Sequence, residues 1–98
     1  EKATQLLILK ALQAAGYFVW RQNSLGFAVG GHMYRSGIPG LPDIIGMTKT
    51  GTFLGIEVKD IKKSSKQSDN QLEFQRLTNA NGGIYVLARS ISDVAFLL

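Results

Sequence analysis

The sequence predicts an α/β fold in which one mixed β-sheet carries helices packed on its faces, in a single domain over residues 1–98. Three observations predict it. Residues 3–15 hold Leu6, Leu7, Ile8, Leu9, Leu12 and several alanines and stop at Gly16, the pattern of a helix with a glycine terminator. Two β-like runs flank Lys49-Thr50-Gly51, which has the form of a hairpin turn. A second helical stretch, Asp69 to Asn81, runs through Gly82-Gly83 into the apolar run Ile84 to Ala88.

Tyr17 to Gln22 is short and β-rich. Phe27 to Tyr34 reads as one glycine-interrupted strand, and Arg35 to Pro42, with two prolines and two glycines, as a loop. Asp43 to Thr48 and Thr52 to Lys59 are the hairpin strands, followed by the basic, polar loop Asp60 to Gln67. The unbroken apolar character of Ile84 to Ala88 predicts a central strand. Ser90 or Ser92 then caps a last short helix ending in Phe96, Leu97 and Leu98. The predicted order is α, β, (β), β, β, α, β, α.

Composition narrows the chemistry. The 98 residues are 45% hydrophobic, enough for a core, and no apolar run reaches the roughly 18 residues a membrane span needs. No basic leader or cleavage site opens the chain, so a mature cytosolic domain is expected. With no cysteine and only His32 as histidine, thiolate zinc sites, cysteine nucleophiles and multi-histidine sites are excluded. A metal bound to these residues would be a hard cation held by oxygen. The net charge of +4 suits a polyanionic partner.

The acids are placed by the hairpin. If Thr48 and Thr52 flank a three-residue loop with Gly51 in its left-handed position, paired positions sum to 100 and Asp43 lies opposite Glu57. Alternation puts Phe53, Gly55, Glu57 and Lys59 on one face. Opposed carboxylates about 4.5–5.5 Å apart at Cβ repel, so a positive group is expected between them, either Lys59 or a divalent cation. Glu1 falls near Ile8 and Leu12 on the helical wheel, which would turn its carboxylate toward the sheet as a third ligand. Ser68-Asp69-Asn70-Gln71 has capping-box spacing, so Gln71 is either a helix cap or a site residue, and both readings can hold. Lys62, Lys63 and Lys66 read as a solvated loop or, the favoured reading, a phosphate clamp. Arg21, Asn23, Ser24 and Arg35 are further residues for the same cleft. His32 is read as structural. Tyr17 and Trp20 are read as core or interface rather than as stacking platforms for bases.

Pro42-Asp43 with Glu57-Val58-Lys59, 14 residues on, resembles the PD-(D/E)xK nuclease superfamily and, within it, the virus-type replication-repair nuclease domain, VRR-NUC. The likeness covers most of the chain. It includes the early helix beginning with glutamate, Val19-Trp20-Arg21-Gln22-Asn23-Ser24, Gly40-Leu41-Pro42-Asp43, Ser68-x-x-Gln71 and Gly82-Gly83-Ile84-Tyr85-Val86. The resemblance implies a restriction-endonuclease-like core and a Mg2+- or Mn2+-dependent phosphodiesterase. Glu1, Asp43, Glu57 and the carbonyl of Val58 would hold the metal. Lys59 would orient the attacking water or stabilise charge on the phosphate, with Gln71 assisting. By the same analogy the chain would be a homodimer that cuts branched DNA such as Holliday junctions, in the cytoplasm of a bacterial or phage-infected cell. A nicking or restriction-type nuclease, or a DNA-binding module without catalysis, are the alternatives.

Overall fold

The computed structural model describes residues 2–22, 26–35, 38–62 and 65–98, and for 26–29 and 32–35 the backbone alone. The elements are α1 (Lys2–Ala14), β1 (Phe18–Arg21), β2 (Gly26–Val29), β3 (His32–Arg35), β4 (Ile44–Met47), β5 (Phe53–Val58), α2 (Asp69–Ala80), β6 (Ile84–Ala88) and a closing 3-10 helix (Ile91–Leu97). A four-stranded mixed sheet has the order β1-β4-β5-β6, antiparallel from β1 to β5 and parallel between β5 and β6. The pair β2-β3 forms a separate two-stranded sheet.

Local chemistry sets the element ends. In α1 the buried stripe is Gln5, Ile8 and Leu12. Beyond it the Gly16 and Tyr17 amides donate back to the carbonyls of Gln13 and Leu12, closing the helix at the expected glycine. The central hairpin forms as expected: Thr48 and Thr52 are bonded across the turn, Gly51 has φ 84°, and every β4–β5 pair sums to 100. Ser68 and Gln71 make the reciprocal capping box that starts α2.

Three expectations are corrected. Phe27 to Tyr34 is two antiparallel strands, not one, because Gly30 and Gly31 both take positive φ (57° and 81°) and reverse the chain in a two-residue turn. Ile84 to Ala88 is the edge of the four-stranded sheet rather than its centre. Its apolar character comes from cover on both faces: Val86 and Ala88 join the main core while Tyr85 meets Phe74 of α2, with ring centroids 6.4 Å apart. The last helix is a 3-10 helix that starts after Ser90, whose amide donates to Asp93 Oδ2 at 3.3 Å.

The core lies on one sheet face. Ile44, Leu54, Ile56, Val58, Val86 and Ala88 pack under Ile8 and Leu12 of α1 and Val94 of the closing helix. Truncating a buried isoleucine or leucine there to alanine would cost about 2–5 kcal/mol. The opposite face carries Phe18, Trp20, Ile45, Met47, Phe53, Gly55, Glu57 and Tyr85 by strand alternation. Helix α2 covers its β5–β6 half through Phe74, which lies 6.1 Å from Phe53. The β1 half stays open: Phe18 is 66% exposed and Trp20 39%, so Trp20 is not a core residue. Tyr17, in contrast, packs against the core and its hydroxyl donates to the Leu97 carbonyl. No described helix is long and apolar enough to cross a membrane.

Candidate active site

Two close approaches seat Pro42-Asp43 on the sheet. Gly40 has φ 79° and lies against the backbone of Asn70 and Gln71, where any side chain would collide with the start of α2. Pro42 is fully buried, and a Cβ on Gly55 would stand 2.8 Å from its Cγ. Glycine at 55 therefore leaves the space that the proline ring fills. Asp43 is next held from both sides. Its carbonyl accepts from the Gln22 amide at 2.7 Å, and its Oδ2 accepts from the Val58 amide at 2.8 Å. The carboxylate of one hairpin strand is thus tied to the backbone between Glu57 and Lys59 of the other.

Glu57 stands beside it, buried to 3% exposure. Its Oε2 is 3.5 Å from Lys59 Nζ, and its Oε1 is buried with no hydrogen-bond partner among the described residues. Burial is the main reason its carboxyl is pushed up from 4.5 to about 7; the Asp43 charge pushes the same way, and Lys59 only partly opposes them. A buried carboxylate oxygen with no donor is costly. The expected repulsion between the two acids is therefore present, and Lys59 does not cancel it.

The remaining sequence candidates are distributed as follows. Gln71 is engaged as a cap: its Oε1 accepts from the Ser68 amide at 2.9 Å. The glutamine that reaches the acidic face is Gln67, whose Nε2 lies 3.1 Å from both Gln75 Oε1 and Tyr85 Oη. Tyr85 pairs with Gly55, next to Glu57 on the same face. Its hydroxyl is pushed up to about 12, chiefly by burial, with a smaller push from Glu57 and Asp43. Neither residue was foreseen. A tyrosine inside an apolar strand run is the one sequence signal that could have drawn attention to the pair.

Arg21 pairs with Ile44, so alternation places it on the face opposite the acids, not in their cleft. Lys62 and Lys66 are exposed in the loop after Lys59, and the Lys62 amide is turned by Asp60 Oδ1 at 3.2 Å. Arg35 ends β3, outside the four-stranded sheet. Glu1, Asn23, Ser24 and Lys63 lie outside the described residues. Among the described residues, no third His, Cys, Asp or Glu joins Asp43 and Glu57 in a metal-binding group.

The donor set still fits a hard divalent cation. Two carboxylates meet at one place, and one of their oxygens is buried with no partner among the described residues. Fold and site together define a small α/β protein with a tethered carboxylate pair and an adjacent lysine. Compared with protein-family models and with curated proteins, the chain matches none.

Proposed function

We propose that the protein is a Mg2+- or Mn2+-dependent, structure-selective DNA endonuclease of the PD-(D/E)xK superfamily and the VRR-NUC type. The observation that carries this is the buried Oε1 of Glu57 beside Asp43 and Lys59, which has no partner among the described residues, a position where a cation would relieve both the repulsion and the missing hydrogen bond. The hairpin that presents the three residues, the parallel strand β6 beside it and helices on both faces support a restriction-endonuclease-like core.

Asp43 and Glu57 would hold the cation, with the Val58 carbonyl and Glu1 as the further ligands the resemblance implies. When bound, the cation supplies acidification of a water and polarisation of the phosphate. Lys59, 16% exposed at its side chain, would place its ammonium against negative charge developing on the phosphate. The Val58 amide fixes Asp43 through Oδ2, and the other carboxylate oxygen would be the one to meet the cation. Lys62 and Lys66 would take flanking phosphates, in keeping with the net charge of +4.

Branched DNA, with Holliday junctions foremost, and a homodimeric state complete the reading. A two-fold dimer presents two such sites to a symmetric four-way junction, and the open Phe18–Trp20–Met47 surface offers apolar area to a second copy. The test is cleavage of a panel of linear, nicked, flapped and four-way substrates with Mg2+ or Mn2+. Asp43→Asn and Lys59→Ala should each abolish cutting while junction binding survives. Wild-type rates in either variant would show the site to be misassigned, and metal-independent binding with no cleavage would leave a DNA-binding module.

A further inference from the structure

The end of β6 makes an arrangement that the reaction as described does not use. Arg89 turns its guanidinium under the loop that follows Lys59. Its Nη1 donates to the carbonyls of Asp60 at 2.7 Å and Lys62 at 2.9 Å, and its Nη2 donates to the carbonyl of Ser65 at 2.6 Å. Three carbonyls spread over this loop thus converge on one planar cation. The loop is tied at neighbouring points as well. The Lys59 amide donates to the Ala88 carbonyl at 2.9 Å, and the Ser65 amide donates to the Lys62 carbonyl at 3.0 Å. Arg89 is itself steadied by Asp93, whose Oδ2 accepts from the Arg89 amide at 2.8 Å.

The geometry has a direction. Carbonyls drawn inward to the guanidinium leave Lys62 and Lys66 exposed, together with Ile61, which is 73% exposed. A guanidinium fork can serve several acceptors in one plane, whereas the compact ammonium of lysine cannot span the same three carbonyls. Arg89 and Lys59 also line one open cavity of about 300 Å³ with Thr4 and Leu7 of α1, so the clamp sits directly beside the candidate site.

We propose that Arg89 is a positioning residue: it holds the backbone at Asp60, Lys62 and Ser65 so that Lys62 meets a phosphate of the bound nucleic acid without first being ordered. The proposal rests on the nuclease reading above for the identity of the ligand, while the clamp is a property of the chain alone. Preorganisation makes binding tighter by removing an ordering cost at the moment of contact.

The experiment uses the whole chain in an Asp43→Asn background, so that a four-way DNA junction is bound and not cut. Arg89→Gln should weaken junction binding about tenfold. Arg76→Gln removes the same charge from an exposed ion pair with Glu73 and should change it by less than about twofold. Lys62→Gln should weaken binding about threefold alone and have almost no effect on top of Arg89→Gln, because one residue acts through the other. Trypsin should cut after Lys62 and Lys66 several times faster in Arg89→Gln, and in Arg89→Lys, which keeps the charge and guards against a misfolded glutamine variant. Unchanged tryptic rates, or a Lys62→Gln effect that is the same in both backgrounds, would overturn the proposal. A wild-type chain that binds no DNA would overturn the functional reading instead, and the tryptic rate would then decide the clamp by itself.

Discussion

The Val58 amide donates a 2.8 Å hydrogen bond to Oδ2 of Asp43, linking the residue that opens one hairpin strand to the residue between the acid and the lysine of the other. This bond does more than join strands. It occupies one oxygen of Asp43. It also fixes the backbone on which Glu57 and Lys59 stand. Site geometry and hairpin geometry are therefore linked, and disturbing the hairpin near Asp43 disturbs the carboxylate pair.

Gly55→Ala tests that coupling. The added methyl would stand 2.8 Å from Pro42 Cγ and push the proline, and Asp43 with it, off the sheet. The expected result is a stability loss of about 1–3 kcal/mol in urea unfolding. Cleavage at saturating Mg2+ should fall by more than the unfolded fraction accounts for. A Gly55→Ala chain with wild-type stability and wild-type rate would show that the proline does not seat Asp43.

The raised carboxyl of Glu57 predicts a pH dependence of the metal-free protein. Its folded value of about 7 lies above the ordinary 4.5, so the folded state binds more protons than the unfolded state between those values. The contribution to stability is fully present below 4.5 and is lost as pH rises through about 7, with a ceiling on the order of 3 kcal/mol. Thermal melts across this range should show the fall. Glu57→Gln should flatten it and raise the melting temperature at pH 8, while ending metal-dependent cleavage. Mg2+ or Mn2+ should restore stability to the wild type at pH 8 and not to the variant. Melting that rises with pH in metal-free wild type would contradict the assignment.

Gln71 separates capping from catalysis. Glutamate serves the capping box as well as glutamine does, so Gln71→Glu should keep both the stability and the cleavage rate, and Gln71→Ala should cost about 0.5–1 kcal/mol. Should Gln71→Glu lose cleavage at unchanged stability, the side chain acts on the site and not only on the helix start.

Tyr85→Phe removes the hydroxyl that joins β6 to Gln67. Gln67 keeps Gln75 as a partner at 3.1 Å, so the loss should be about 1 kcal/mol, read in urea unfolding, rather than the larger cost of an orphaned amide. A loss several times larger would mean that the hydroxyl also satisfies the acidic face.

What was legible in the sequence is what short-range chemistry decides. The turn at Lys49-Thr50-Gly51 determined the hairpin register, and with it the opposition of Asp43 and Glu57, because a three-residue loop with a left-handed glycine leaves one pairing. The ends of α1 and the start of α2 followed from Gly16 and from Ser68 with Gln71, since helix termini satisfy their own amides and carbonyls locally. Tertiary structure alone decided the rest. Periodicity cannot distinguish a central strand from an edge strand covered on both faces, and so Ile84 to Ala88 took the edge. The reach of Gln67 to Tyr85 spans 18 residues, and that of Arg89 to its three carbonyls spans 24 to 29. Burial of Glu57 depends on the whole assembly around it. Contacts of that length depend on how layers stack, and stacking is a property of many residues at once, not of any window in the chain.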